Sequence, residues 1–267
     1  MTATTAQRIP TFTPTMLATY ERCRLLYQRR YVDRNLPPEP FNPTFARGNA
    51  AHRVLEGAYR HYQRHQTLPV DLQARVEAQL PLVHYPDKAA WEGDVSTVLD
   101  WVKWDLLAFD GTARVAAVER TFEYAFPGNG DCGPWRLRHI PDLVLEHADG
   151  TIEHLDRKTG NGYHVDELQR VAARIVVGQA VTERPRVLSS TTFLVHQAVR
   201  TEELSYEAVK TGWERMKTLA VGILAGEAGI PTENPLCPWC PLYQAGCPLF
   251  PAEAGPDVMT DWLEGAA

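Results

Sequence analysis

Two acidic residues and a lysine have a spacing that could support phosphodiester hydrolysis. Asp156 and Lys158 are two residues apart in a stretch with the alternating pattern of a strand, so their side chains share one face. Asp142 lies in the preceding predicted strand, and the turn signal Asp149-Gly150 makes the two strands neighbours. Both aspartates can therefore converge on one divalent cation, which would polarise a phosphodiester and lower the pKa of a water nucleophile. Lys158 could position that water or offset developing charge.

Taken alone, these residues also have an ordinary structural interpretation. An acid and a lysine two residues apart commonly form an exposed ion pair. His52 lies at the border of an amphipathic helical stripe, where a histidine more often makes a local hydrogen bond than binds a metal. These alternatives stay open on spacing alone.

Composition favours a cytoplasmic protein with an uneven charge distribution. The 267 residues are 44% hydrophobic and 22% charged, which is ordinary for a globular chain. No apolar run approaches the roughly 18 residues of a membrane span, and residues 1–10 lack the apolar core of a signal peptide. Residues 1–64 carry ten arginines and four acidic residues, a net charge of +6 that leaves −12 for the remainder. This arginine-rich segment is either a solvated surface or one that faces phosphates.

Three cysteines near the end of the sequence have the spacing of a metal site. Cys237, Cys240 and Cys247 follow the pattern Cys-x2-Cys-x6-Cys, and zinc and iron–sulfur clusters can both be held by four thiolates. Since cytoplasmic thiols stay reduced, the spacing favours a metal over a disulfide. The fourth ligand must come from elsewhere in the chain, from Cys23 or Cys132.

The pattern of apolar residues predicts helices first and strands later. The predicted helices of the first part run from a cap at Thr13 or Thr15 to about Tyr31, from Phe45 or Gly48 onward, and over residues 88–109, with a proline-rich loop over residues 35–43. Strand alternation then begins at Arg114 and continues to Phe126, with Glu119 on its polar face. Further strands are predicted over residues 135–146, 151–158 and 187–198, and further helices over residues 165–181 and from the cap Ser205 to about Gly226. This order predicts an α/β domain with a mixed central sheet and a helical N-terminal part.

The combined motifs resemble those of a known nuclease superfamily. Pro141-Asp142, followed by the segment from Asp156 to Gly160 that includes Lys158, resembles the PD-(D/E)XK signature. Gly48-x-x-x-His52, the cysteine-bearing first helix and the final three cysteines narrow the resemblance to the RecB-like branch, which includes exonucleases associated with CRISPR systems. The motifs occur in the family's order from about residue 12 to residue 250.

The resemblance implies a restriction-endonuclease-like fold with a cysteine-ligated C-terminal tail. It implies a single domain over residues 1–267, with a mainly helical part at 12–110, a nuclease core at 114–226 and a cysteine-rich segment at 231–250. His52, Asp142 and Asp156 would bind Mg²⁺ or Mn²⁺, and Lys158 and Gln169 would be catalytic. The implied cofactor is a 4Fe-4S cluster, with structural zinc as the alternative, and its implied ligands are Cys23, Cys237, Cys240 and Cys247.

The function implied is metal-dependent hydrolysis of DNA, as an exonuclease on single strands or ends, in repair, recombination or CRISPR-type processing. The alternative is an adaptor that binds DNA ends in a larger recombination or integration complex, with little cleavage of its own. The sequence lacks a Gly-x4-Gly-Lys-Ser/Thr loop, so a helicase or CRISPR integrase would be supplied by another chain. Ala173 departs from the branch, which usually has a DNA-gripping tyrosine four residues after the glutamine.

Overall fold

The computed structural model describes residues 9–38, 41–128, 133–163, 165–181, 186–243 and 247–251. Its helices are α1 (Pro14–Arg22), α2 (Arg24–Tyr27), α3 (Pro43–His65), α4 (Leu72–Gln79), α5 (Lys88–Ala108), α6 (Glu167–Val181) and α7 (Tyr206–Leu224). Its strands are β1 (Thr11–Phe12), β2 (Arg114–Val118), β3 (Phe122–Phe126), β4 (Trp135–His139), β5 (Leu143–Glu146), β6 (Ile152–Lys158), β7 (Val187–Phe193) and β8 (Ala198–Glu203).

The chain forms two compact units. The central unit comprises Phe41–Phe126 and Arg136–Trp213, and the terminal unit comprises the described residues of Met1–Pro40, Pro127–Trp135 and Glu214–Ala267. Each unit is built around its own set of side chains. A single domain over residues 1–267 stays a prediction.

A mixed five-stranded sheet forms the middle of the central unit. Its strand order is β2-β5-β6-β7-β8, and only the β6–β7 pair is parallel. The hairpin between β5 and β6 turns at Gly150, whose φ of 82° suits glycine, and it pairs Leu143 with Leu155. Asp142 and Asp156 directly flank that pair. The sequence-based prediction of a mixed sheet flanked by helices is confirmed.

Helices cover both faces of this sheet. Successive β6 side chains contact different helices, since Arg157 bonds to Asp105 of α5 and Lys158 bonds to Gln169 of α6. Because strand side chains alternate faces, α5 and α6 lie on opposite sides of β6. The larger apolar core lies on the α5 side, where α3, α4 and α5 bury side chains such as Leu55, Val76 and Val98.

Side-chain caps fix where several helices begin. Thr13 accepts a hydrogen bond from the Met16 amide at 3.2 Å, Asn42 accepts from Thr44 at 2.9 Å, Asp87 accepts from Ala90 at 2.8 Å, and Ser205 accepts from Ala208 at 3.2 Å. Each cap satisfies an amide that the first helical turn leaves unpaired. The predicted caps Thr13 and Ser205 are therefore confirmed, whereas α3 begins at Pro43, slightly before the predicted start.

The first predicted helix is interrupted, which corrects the prediction of one helix to Tyr31. The break lies at Cys23, whose backbone is extended with φ −159° and ψ 111°. Cys23 ends α1, and its Sγ accepts the Leu26 amide at 3.5 Å to begin α2. A short π-helix, Gln28–Val32, follows. The apolar periodicity continues through the break, so the pattern alone could not locate it.

Two long predicted strands are each divided into two. The strand predicted from Arg114 to Phe126 breaks after Val118, and the strand predicted over residues 135–146 breaks at residues 140–142. The first predicted strand becomes β2 and β3, and the second becomes β4 and β5. β2 and β5 belong to the five-stranded sheet, whereas β3 and β4 belong to a smaller one. The breaks place Glu119 and Asp142 at the ends of strands.

The last predicted strand ends earlier and is followed by a strand that the sequence did not suggest. β7 stops at Phe193, a 3-10 turn covers Leu194–His196, and β8 returns antiparallel along β7. β8 is largely exposed and carries Arg200, Glu202 and Glu203, charges that suit a sheet edge. Among the described helices, none has the length and apolarity needed to cross a bilayer.

Candidate active site and metal centre

A histidine and two carboxylates meet in the central unit. Ligand atoms of His52, Glu119 and Asp142 all lie within 4.8 Å of one another, and His52 Nδ1 lies 3.3 Å from Asp142 Oδ1. His52 comes from α3, Glu119 from the break after β2, and Asp142 from the break before β5. One nitrogen and carboxylate oxygens are a donor set that suits Mg²⁺ or Mn²⁺.

Glu119 is the residue of this group that the sequence analysis missed. It adopts a positive φ of 46°, which is uncommon for a residue with a side chain, and its amide donates to the Asp142 carbonyl at 3.3 Å. The sequence-based prediction placed Glu119 on the polar face of a continuous strand. A backbone turn at this position directs it to Asp142 instead, and alternation offers no signal for such a turn.

Asp142 is fixed by groups on both of its oxygens. Oδ1 faces His52, and Oδ2 accepts the backbone amide of Arg157 at 2.6 Å. Burial alone would raise the pKa of Asp142, but the His52 hydrogen bond and charge, together with Arg157, hold it well below its usual range. Asp142 therefore stays ionised and ready to bind a cation.

Asp156 and Lys158 lie side by side at the end of β6. Lys158 Nζ lies 2.6 Å from Asp156 Oδ2 and donates to Gln169 Oε1 at 2.8 Å. The exposed fractions of the Asp156 and Lys158 side chains are 21% and 27%, so they form a half-buried pair and not the freely exposed one that the triplet alone would suggest. Gln169, on α6, thereby holds the lysine in place.

The carboxylates of this centre oppose one another's ionisation. Burial, followed by the charge of Asp142, raises the pKa of Glu119 to about 7. Burial also raises the pKa of Asp156 to about 6, with Lys158 opposing and Asp142 adding to the rise. For His52, burial lowers the pKa, but the bond and charge of Asp142 outweigh it and raise it. A divalent cation would relieve this repulsion and favour the ionised carboxylates.

A buried ion pair between β6 and α5 supports the centre. Arg157, which is 3% exposed, donates to Asp105 from Nε at 2.8 Å and from Nη2 at 3.0 Å. Tyr59 donates to the same carboxylate at 2.9 Å, and the Arg157 guanidinium lies 4.9 Å from the Tyr59 ring centre. A bidentate, desolvated pair of this kind is rigid. It fixes Arg157, which lies between Asp156 and Lys158 and whose backbone amide donates to Asp142.

Comparison with known proteins identifies the family that carries this arrangement. Residues 11–248 match the PD-(D/E)XK nuclease superfamily. The chain belongs to the PD-(D/E)XK nuclease superfamily. Members of this superfamily use divalent metals, and the α/β sheet with flanking helices is the architecture expected of them. A comparison with curated proteins finds no match.

Among solved structures, the chain is similar to a candidate exonuclease from Eubacterium rectale, with 10% identity, a TM-score of 0.49 and coverage of 85% of this chain and 86% of that one. It is also similar to the protein SSO0001, with 12% identity, a TM-score of 0.36 and coverage of 77% and 95%.

The glycine of the Gly-x-x-x-His motif has a packing role in this PD-(D/E)XK chain. A Cβ at Gly48 would lie 2.6 Å from Thr159 Oγ1 and 3.6 Å from Thr159 Cβ. Glycine therefore lets α3 approach the residue that follows Lys158. One turn further along α3, the same approach brings His52 to Asp142.

Ala173, where the RecB-like branch usually has a tyrosine, is fully buried in the core under α6.

The terminal unit brings the predicted cysteines together. Cys23 packs in one apolar cluster with Cys240 and Cys247, alongside Leu25, Leu26 and Leu242. Burial raises the pKa of the Cys240 thiol, and the nearby Cys23 and Cys237 raise it further. These four cysteines are free thiols. Cys132, the other candidate ligand, lies outside the described residues.

The arginine-rich beginning of the chain carries acidic partners. Arg24 pairs with Glu227 at 3.1 Å, and Arg29 pairs with Asp33 at 3.6 Å. Asp33 is already one of the four acidic residues of the segment, whereas Glu227 lies outside it and offsets one further positive charge. A phosphate-facing role for this segment stays a prediction.

Proposed function

We propose that this PD-(D/E)XK protein is a Mg²⁺- or Mn²⁺-dependent deoxyribonuclease of the RecB-like branch, acting as an exonuclease on single strands or DNA ends. The observation that carries the proposal is the meeting of His52, Glu119 and Asp142 beside the Asp156–Lys158 pair. The family supports hydrolysis of nucleic acid, and the donor atoms suit a hard divalent cation.

Each residue of the centre has a distinct part in the proposed reaction. His52, Glu119, Asp142 and Asp156 would hold the cation, which would polarise the scissile phosphodiester and generate a nucleophile from water. Lys158, held by Gln169, would donate a hydrogen bond to the phosphate as negative charge develops on it. Asp142 contributes its charge at all neutral pH values, whereas the raised pKa values of Glu119 and Asp156 mean that the cation would compete with protons for these two carboxylates as pH falls.

We extend the proposal to a 4Fe-4S cluster on Cys23, Cys237, Cys240 and Cys247, with zinc as the alternative. Cys23, Cys240 and Cys247 share one apolar cluster and Cys237 lies three residues before Cys240, which supports a common site. More than 200 residues separate Cys23 from Cys237. Closing such a long loop would constrain the unfolded chain and stabilise the terminal unit.

A second candidate function is that of a DNA-end adaptor working with a helicase or CRISPR integrase on another chain. The buried Ala173 favours it, because a nuclease lacking the branch tyrosine has one grip fewer on its substrate. The proposed nuclease would cleave DNA by itself, whereas an adaptor would depend on another chain for cleavage.

The test is cleavage of 5′- and 3′-labelled single-stranded DNA by the purified protein with Mg²⁺, Mn²⁺ or EDTA. The proposal predicts metal-dependent shortening from one end, with Asp156→Ala inactive and the exposed Asp100→Ala unchanged. Binding without cleavage in every metal would favour the adaptor. Equal activity of Asp156→Ala and the normal protein would refute the proposed site.

A further inference from the structure

An exposed aromatic stack lies on the loop that follows the catalytic strand. Tyr163 is 61% exposed, although it sits five residues after Lys158 in the central unit. One face of its ring stacks on His196, with the ring centres 4.2 Å apart and the planes 19° from parallel. The large exposed fraction leaves much of the Tyr163 ring accessible to solvent.

The stack is held in place from two sides. His196 Nε2 bonds to the Asn161 carbonyl at 2.7 Å, which ties the 3-10 turn after β7 to the loop after β6. The Tyr163 ring also makes an edge contact with Phe193, at 5.0 Å and 60°. Phe193 is 1% exposed, so it is a rigid support. Such an arrangement reduces the entropy that an aromatic side chain would lose on binding a partner.

The support also fixes the position of the stack relative to the active site. Phe193 is the register partner of Lys158 in the parallel β6–β7 pair. Tyr163 therefore contacts a residue, Phe193, that lies beside Lys158 in the sheet. Under the proposed function, Lys158 faces the scissile phosphate. A nucleotide whose phosphate lies at Lys158 would bring a neighbouring base within reach of Tyr163.

We propose that Tyr163, backed by His196, is a stacking subsite for a nucleobase of single-stranded DNA next to the bond that is cleaved. This subsite rests on the proposed function and names how its substrate is gripped. Aromatic rings bind bases of any sequence through their π faces, so the subsite would position the strand without reading its sequence. It would need an unpaired base, since a base within a duplex has no free face.

The test is binding of a fluorescent oligonucleotide with Ca²⁺ in place of Mg²⁺, so that cleavage does not interfere. Removing one base–aromatic stack changes affinity by a factor of about 5 to 100. Tyr163→Ala should show a loss in that range, Tyr163→Phe should bind normally because it keeps the ring, and Tyr206→Ala should bind normally as a control for a lost exposed tyrosine. Circular dichroism would check that each variant is folded.

The decisive comparison uses oligonucleotides that carry one abasic position, moved along the strand. An abasic site at one position should weaken binding to the normal protein. Tyr163→Ala should bind that abasic strand as well as it binds the intact strand, because the same stack is already absent. Unchanged affinity of Tyr163→Ala, or equal abasic penalties in both proteins, would overturn the subsite, as would failure of the normal protein to bind single strands. If binding shows the coupling but no metal supports cleavage, the subsite stands and the proposed nuclease activity fails.

Discussion

The acidic centre of the central unit and the cysteine cluster of the terminal unit are built in opposite ways. The acidic centre gathers charged side chains from α3, two strand breaks and β6, and it holds them against their mutual repulsion. The cysteine cluster takes three residues from one short segment and a fourth from a helix break, and leucines pack around Cys23, Cys240 and Cys247.

This difference separates what each site contributes. A site of opposed charges gains most from a cation at the moment of catalysis, and the buried Arg157–Asp105 pair supports its geometry. The cysteine cluster is small and takes its residues from distant parts of the chain, so metal binding there would be part of the folding free energy. Mutations in the cysteines should therefore act through stability, and mutations in the acidic centre through rate.

The largest effect is expected in the cysteines. Cys23→Ser and Cys240→Ser should both lose most of the iron and lower the thermal midpoint, by on the order of 10 °C, because the cluster would form only in the folded chain. Cys132→Ser is the matched control and should keep both. Iron content, thermal midpoint and nuclease rate would be measured together. Loss of the cluster in Cys132→Ser but not in Cys23→Ser would mean that the fourth ligand was assigned wrongly.

The next largest effect is expected in the cleavage rate and not in stability. Lys158→Ala should reduce the cleavage rate by on the order of 10²–10³-fold with little change in the thermal midpoint, because one transition-state donor is lost. Gln169→Ala should reduce it less, since it only orients Lys158. Single-turnover rates over a range of Mg²⁺ concentrations would separate rate from metal affinity. Recovery of the full rate of Lys158→Ala at high Mg²⁺ would contradict the assigned role.

The smallest effect tests the packing that brings α3 to the active strand. Gly48→Ala should destabilise the protein by roughly 1–3 kcal/mol, because the new Cβ overlaps Thr159 Oγ1. Thr159→Ala removes that oxygen, so the double variant should recover much of the loss. Urea unfolding of the two single variants and the double variant gives the coupling. Strictly additive changes would show that α3 is positioned by other contacts.

Part of this organisation could be predicted from the sequence, because some of its signals are local. The hairpin at Gly150 placed Asp142 beside Asp156. The spacing of Cys237 and Cys240 predicted a metal site, which stays a prediction, and the structure places Cys240 in one apolar cluster with Cys23 and Cys247. Glu119 could not be found in this way, since its role depends on a positive φ inside an otherwise alternating pattern. The break at Cys23 was hidden because apolar residues keep helical spacing on both sides of it.

The stack of Tyr163 on His196 shows the same limit over a longer range. It joins two loops that are close only because β6 and β7 run parallel and end together. Neither loop has a distinctive composition, so only the sheet topology brings the two rings together.

The central claim is that His52, Glu119, Asp142 and Asp156 form one divalent-cation site, and proton competition tests it most directly. Glu119 and Asp156 have raised pKa values of about 7 and about 6 in the folded protein, so these two carboxyls hold more proton in the folded than in the unfolded state between about pH 4 and about pH 7. These two groups alone would lower the stability of the metal-free protein as pH rises through that window, whereas His139 and His154, whose pKa values burial lowers to about 4 and about 3, act in the opposite direction. The contribution of Glu119 is therefore the difference between the normal protein and Glu119→Gln. Mn²⁺ must displace the protons of Glu119 and Asp156, so its stabilising effect should grow over the same range.

The measurement is the thermal midpoint with and without Mn²⁺, from about pH 5 to about pH 8, for the normal protein, Glu119→Gln and the control Asp100→Asn. We expect Mn²⁺ to raise the thermal midpoint of the normal protein slightly at the acidic end of the range and strongly at the alkaline end. The rise should be the same in Asp100→Asn and mostly lost in Glu119→Gln. Without metal, the stability of Glu119→Gln relative to the normal protein should increase as pH rises from about 5 to about 8, because the variant lacks the proton that folded Glu119 loses over this range. A Mn²⁺ effect that is independent of pH and retained in Glu119→Gln would contradict the site.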